Sequence, residues 1–154
     1  MMEEQKSKIN IQWFPGHMTK AKRQMEEHLK LVDMVIELRD ARIPNASKNP
    51  LIEQLTKQKP RLILLTKRDK AQPEATRRWV EHLQNEQVKV LALDLLKDPL
   101  EKRITSAAKE LMKDKLERMK RRGIRPRAIR AMVVGIPNVG KSTLINSLAH
   151  RRAA

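Results

Sequence analysis

Two short stretches carry residues whose types and spacing do recognisable chemistry. Gly135 to Ser142 reads GIPNVGKS, between the apolar run Ala131-Met132-Val133-Val134 and Thr143-Leu144-Ile145-Asn146. The spacing is G-x-x-x-x-G-K-S/T in a strand–loop–helix context, the pattern of a phosphate-binding loop. Its backbone N–H groups would cradle the α- and β-phosphates of a nucleotide, with the dipole of the following helix favouring the negative charge. Gly135 and Gly140 permit the tight turn and the close backbone approach. Lys141 would reach the β/γ-phosphates, and the Ser142 hydroxyl would ligate Mg²⁺. The bland alternative is a chance match in a loop.

The second stretch is Thr66-Lys67-Arg68-Asp69, directly after the apolar run Leu62-Ile63-Leu64-Leu65. A carboxylate at the carboxyl end of a strand can accept hydrogen bonds from the N1–H and N2–H₂ of guanine. Adenine lacks that donor pair and would leave the carboxylate unmatched. Asp69 is therefore the candidate base reader. The Lys67 stem would lie against the base plane, and Thr66 would help hold the loop. The four-residue pattern is weak alone and gains weight from the phosphate loop in the same chain. An ATP-using P-loop protein is the reading that Asp69 disfavours.

These stretches need elements to position them. Val32 to Leu38, residues 60–66, Val88 to Leu93 and residues 128–134 read as buried strands. Met18, Ala21, Met25, Leu29 and Val32 fall at helical spacing. Asn49-Pro50 opens a short helix, and Pro73 starts another carrying Trp79, Val80 and Leu83. Asp98-Pro99 with Glu101 predicts a capped helix start. That helix carries Leu100, Ile104, Ala107, Ala108, Leu111, Met112, Leu116 and Met119, and stops at Gly123. Strands alternating with helices predict an α/β fold: a parallel sheet of about four strands, helices on both faces, right-handed crossovers. Residues 1–12 are expected to be a flexible N-terminus and 13–154 the folded unit. Asp40-Ala41-Arg42-Ile43-Pro44 reads as a polar strand exit with Arg42 solvated. Trp13-Phe14-Pro15-Gly16-His17 is either an aromatic anchor in a turn or a turn presenting His17 as a polar catalytic or positioning group.

Lys and Arg number 34 against 18 Asp and Glu, a formal net charge of +16, which favours a polyanionic partner such as nucleic acid. Nine basic residues lie between Lys113 and Arg130, a solvated face or a phosphate-contacting connector. No stacking aromatics accompany them, so base-specific RNA reading is not supported. There is no cysteine, and the four histidines have no metal-ligand spacing, so neither disulfides nor a zinc site is expected. No segment has the apolar length of a membrane span and the N-terminus lacks a secretory pattern, which is compatible with the cytoplasm.

In an ordinary GTPase the phosphate loop precedes the base-reading motif, whereas here Thr66 precedes Gly135. WFPGHM, DARIP, TKRD, the helix ending in a basic run and RAIRAMVVGIPNVGKSTLIN together resemble the ribosome biogenesis GTPase A family over residues 10–150. The resemblance implies a circularly permuted P-loop GTPase that binds GTP/GDP with Mg²⁺. It further implies action late in assembly of the large ribosomal subunit in bacteria, with that subunit or its RNA as partner. It implies base contacts by Thr66, Lys67 and Asp69, and phosphate contacts by Asn138, Val139, Gly140, Lys141, Ser142 and Thr143. His17 would replace the usual catalytic glutamine. Asp94 and Leu95 stand where the family has a small polar pair backing the guanine, and Thr66 stands where it usually has Asn, whose carboxamide offers more hydrogen bonds. The sequence to Ala154 contains no switch threonine, D-x-x-G segment or C-terminal helical domain. From this, hydrolysis by this chain alone is expected to be poor, and the phosphate-loop strand is expected to be an exposed sheet edge. The alternative function is a non-enzymatic, basic ribosomal-RNA-binding module with a vestigial nucleotide site.

Overall fold

The computed structural model describes residues 9–13, 23, 26–44, 53–54, 57, 59–124, 129–135 and 144. Nine elements are named among them: β1 (Ile9–Trp13), β2 (Met34–Asp40), β3 (Arg61–Thr66), a 3-10 turn (Arg68–Lys70), α1 (Pro73–Leu83), β4 (Val88–Ala92), α2 (Leu100–Leu111), α3 (Lys113–Arg121) and β5 (Ile129–Gly135). The strands form one five-stranded sheet in the order β1-β5-β2-β3-β4, every pairing parallel. The four strands expected from the sequence are all present, as β2, β3, β4 and β5.

The edge expectation is corrected. β1 pairs with β5 from Ile9↔Ile129 to Trp13↔Val133, so the strand leading to the phosphate loop is covered on both sides. The same pairing takes residues 9–12 out of the expected flexible N-terminus. The segment Ile9-Asn10-Ile11-Gln12-Trp13 has strict apolar–polar alternation, which fits a strand.

Alternation sorts the sheet's two faces. Met34, Ile36 and Leu38 of β2, Leu62 and Leu64 of β3, and Ile129, Ala131 and Val133 of β5 join one cluster with Leu100, Ile104, Ala107 and Ala108 of α2. On the opposite face, Ile63, Leu65, Val88 and Val90 pack against Trp79, Val80 and Leu83 of α1. Beside them, Val35, Met132 and Val134 pack with Leu29 and Val32. Helices therefore cover both faces, and the central strand β2 is buried along its whole length. Residues 23 and 26–29 are helical and residues 30–31 form a turn; residues 17–22 and 24–25 of the helix read through Met18, Ala21, Met25 and Leu29, His17 included, lie outside the described residues, as does the expected helix at Asn49-Pro50 apart from helical residues 53–54.

β2 also carries a buried charge cluster. Arg39 Nε and Nη2 donate to the two Glu37 carboxylate oxygens at 3.0 and 3.2 Å, and Arg61 Nη1 approaches Glu37 at 3.4 Å. Glu37 and Arg39 are two apart on a strand, so they share a face.

The helix expected to run unbroken to Gly123 is divided at Met112, whose backbone (φ −95°, ψ 5°) separates α2 from α3. The C-terminal stop is as expected. Gly123 has φ +72°, its N–H donates to Lys120 O and that of Ile124 to Met119 O. This is the paired closure that a glycine just past a helix end provides.

Candidate functional site

Four strands deliver their exit loops to one edge of the sheet. Register puts Asp40 opposite Thr66, Leu65 opposite Ala92, and Leu38 opposite Gly135. The carboxyl ends of β5, β2, β3 and β4 therefore share that edge. β5 and β3 flank β2, so Gly135 and the turn after Thr66 are separated laterally by two strand spacings, about 10 Å.

Thr66 is fully buried, and its hydroxyl donates to Arg39 O at 3.3 Å. Ala41 N–H donates to Thr66 O at 2.8 Å. The loop-holding contact expected of Thr66 is thus a tie between β3 and β2. Lys67 follows with φ 59° and ψ 36°, the one non-glycine with positive φ among the described residues. That conformation costs about 1 kcal/mol for an L-residue and persists only where its surroundings impose it. Lys67 Nζ lies 3.5 Å from Asp40 Oδ2. Arg68 N–H donates to Leu93 O at 3.3 Å, and Lys70 N–H closes the turn on Lys67 O at 2.9 Å. Asp69, in the 3-10 turn, is exposed, and its carboxylate has no hydrogen-bond or ion-pair partner among the described residues.

Asp40 is the residue that sequence reasoning missed. Read as the start of a solvated exit, it is the last residue of β2 and is buried. Its Oδ1 accepts from Arg42 N–H at 2.9 Å and Nε at 3.0 Å, while Oδ2 accepts from Arg42 Nη2 at 2.7 Å. These Arg42 side-chain hydrogen bonds lead in holding its pKa down at about 2. Burial opposes them, and the Arg42 backbone N–H and the charges of Arg42 and Lys67 add to them. The available signal was the Asp-x-Arg spacing at a strand exit, which suits a side chain accepting from the backbone two residues on.

Asp94 and Leu95 follow β4 and are brought beside the Thr66–Asp69 turn through the Arg68–Leu93 bond. Asp94 is buried, and its Oδ1 accepts from Leu96 N–H at 3.0 Å, which shapes its own loop. Leu95 is half-buried and packs against the α2-side cluster, so its side chain serves the core. Asp98, expected to cap a helix, does not: α2 starts at Leu100 behind Pro99, with no side-chain cap bond. Asn138, Val139, Gly140, Lys141, Ser142 and Thr143 lie outside the described residues. The elements on either side of them are described: β5 ends at Gly135, and Leu144 is helical and fully buried in the α2-side cluster. Among the described residues no group of three or more His, Cys, Asp or Glu could hold a metal ion, and no helix is long and apolar enough to cross a membrane.

This geometry can be set against known proteins. The family model described as 50S ribosome-binding GTPase matches residues 130–154, from β5 through the glycine-rich loop. The chain is 51% identical over 146 residues to ribosome biogenesis GTPase A of Bacillus pumilus, covering 95% of this chain and 52% of that protein. Over nearly its whole length the chain is similar to ribosome biogenesis GTPase A. A second such protein, from Priestia megaterium, is 52% identical over 147 residues, covering 95% of this chain and 51% of the relative. The GNP-bound structure of YlqF from T. maritima superimposes with a TM-score of 0.57 at 33% identity, over 82% of this chain and 46% of that one. The chain spans about half the length of the ribosome biogenesis GTPase A relatives it matches. Its all-parallel sheet with helices on both faces is the α/β architecture expected of that family.

Proposed function

We propose that this chain supplies the base-reading and phosphate-binding parts of a circularly permuted GTPase that acts in late maturation of the large ribosomal subunit. The observation that carries the reading is the left-handed turn at Lys67. It sits at the edge where β5 ends in Gly135 and presents Asp69 with an exposed carboxylate that has no hydrogen bond or ion pair among the described residues and feels the charge of Arg42. A purine with adjacent N–H donors suits that carboxylate. Thr66 and Lys67 shape and flank the base site, with the Asp94-Leu95 loop beside it. Residues Asn138 to Thr143 hold the phosphates, Ser142 contacts the nucleotide's Mg²⁺, and His17 positions the attacking water. GTP hydrolysis is the activity of the whole protein, its chemistry being positioning and electrostatic stabilisation of the γ-phosphate.

The family names support a ribosomal partner. Contact with ribosomal RNA is favoured by the +16 charge and by α3, whose Lys113, Arg118, Lys120 and Arg121 are exposed, with Arg122 beside them. A cytoplasmic location accompanies this reading. Fluorescence titration with GDP and ADP tests it: GDP should bind far more tightly, and equal affinities would overturn the guanine assignment. The exposed basic helix also favours a second reading, a non-enzymatic RNA-binding module. Salt-sensitive RNA binding indifferent to GTP and to Lys141→Ala would select it.

A further inference from the structure

The loop after β4 closes on itself, Asp98 N–H donating to Asp94 O at 2.9 Å. It then reaches across to the neighbouring turn through one side chain. Asp98 Oδ1 accepts from Arg68 Nη2 at 3.1 Å. Its Oδ2 accepts from Asp94 N–H at 2.8 Å and lies 3.5 Å from Arg103 Nη1, on α2. Both carboxylate oxygens are used, and only 15% of the side chain is exposed. Capping does not explain this residue, because α2 begins after Pro99 and takes no side-chain bond.

Arg68 is thereby held twice by the β4 exit loop, through its backbone N–H to Leu93 O and through its guanidinium to Asp98. Two points of attachment on one residue restrict rotation of the turn as well as its distance. The residues on either side of Arg68 are Lys67, in the left-handed conformation, and Asp69. A turn whose backbone carries conformational cost needs such outside support to stay in one state.

We infer that Asp98 is a positioning residue for guanine recognition: by joining Arg68 to the Asp94 backbone it fixes the direction in which Asp69 presents its carboxylate. The inference rests on the proposed role of Asp69 as base reader. A loosened Asp69 would lose most where two donors must be met together. Guanosine diphosphate should therefore suffer more than inosine diphosphate, which lacks the exocyclic amine. A merely structural role would weaken both equally.

The test is titration of the purified protein with both nucleotides. Asp98→Ala should weaken GDP binding about three- to tenfold, in keeping with a partly exposed pair, and IDP binding by less. Arg68→Ala, at a half-exposed guanidinium and so tolerated by the fold, should reproduce the effect. The double variant should add nothing further. Asp98→Asn, which retains an acceptor for Asp94 N–H, serves if Asp98→Ala does not fold. An unchanged GDP-to-IDP preference in Asp98→Ala and Arg68→Ala, or fully additive losses in the double variant, would overturn the inference. Asp69→Ala distinguishes the two levels: if it leaves the preference intact, the base-reader assignment has failed. If it abolishes the preference while Asp98→Ala does not alter it, the Asp98 inference alone has failed.

Discussion

Replacing Asp40 by Asn keeps its shape and one acceptor but removes the charge on which Arg42 and Lys67 converge. The carboxyl pKa is held at about 2 against an ordinary 3.8, the Arg42 hydrogen bonds leading. A depression of nearly two units is worth about 2 kcal/mol of folding stability. The Arg42 side chain is 45% exposed and therefore screened, so we expect roughly 1–2 kcal/mol to be realised. In a chain of this length that is a fall in Tm of roughly 2–8 °C. The sign follows from the depressed folded-state value. The contribution is complete well above the unfolded pKa, falls by about half near pH 3, and vanishes as the pH drops through about 2. Urea unfolding of the protein and of Asp40→Asn at pH 7, 5, 4 and 3 would measure it. The gap should be steady from pH 7 to 5 and narrow below that. A gap that is absent at pH 7, or as wide at pH 3 as at pH 7, would refute the argument.

Further expectations follow from other contacts. Glu37→Ala should cost about 3 kcal/mol in urea unfolding, because it leaves the buried Arg39 uncompensated, whereas Glu37→Leu combined with Arg39→Met should recover most of the loss. Gly123→Ala should cost about 1 kcal/mol in the same assay: none of the described residues lies within 4 Å of an added Cβ, so the penalty is that of the positive φ. Thr76→Val should raise stability by about 1 kcal/mol, since the buried Thr76 hydroxyl has no hydrogen-bond partner among the described residues. If α3 contacts RNA phosphates, reversing Arg118, Lys120 and Arg121 to Glu should flatten the dependence of log K on log salt by about 3 units of slope or less.

How much of this could be read from the sequence depends on how local each cause is. Apolar runs such as Leu62–Leu65 identify buried parallel strands by themselves, and α1 with Trp79, Val80 and Leu83 on one side was legible for a similar reason. β1 was not. It is five residues long, and its partner β5 lies at the other end of the chain, so its one signal was the alternation within Ile9–Trp13. Asp98 misled because its neighbours Pro99 and Glu101 form a good local capping pattern, while its carboxylate turns instead to Asp94 N–H, to Arg103 and to Arg68, the last thirty positions away. Tertiary hydrogen bonds of this kind override local preference. Asp69 could be nominated from its position after a strand. The supports that orient its turn, Asp40 on one side and the Asp94–Asp98 loop on the other, belong to neighbouring strands and become visible only when the sheet is assembled. The division at Met112 has no proline or glycine to announce it, and nothing in the structure explains it.

The claim on which the account depends is that Asp69 reads the base. Asp69→Asn replaces one acceptor of the carboxylate with an N–H₂ donor, which suits the 2-carbonyl of xanthine and opposes the 2-amine of guanine. Paired titrations with guanosine and xanthosine diphosphate test this directly. The parent protein should prefer the guanine nucleotide and the Asp69→Asn variant the xanthine nucleotide; a preference left unchanged by the substitution would contradict the account.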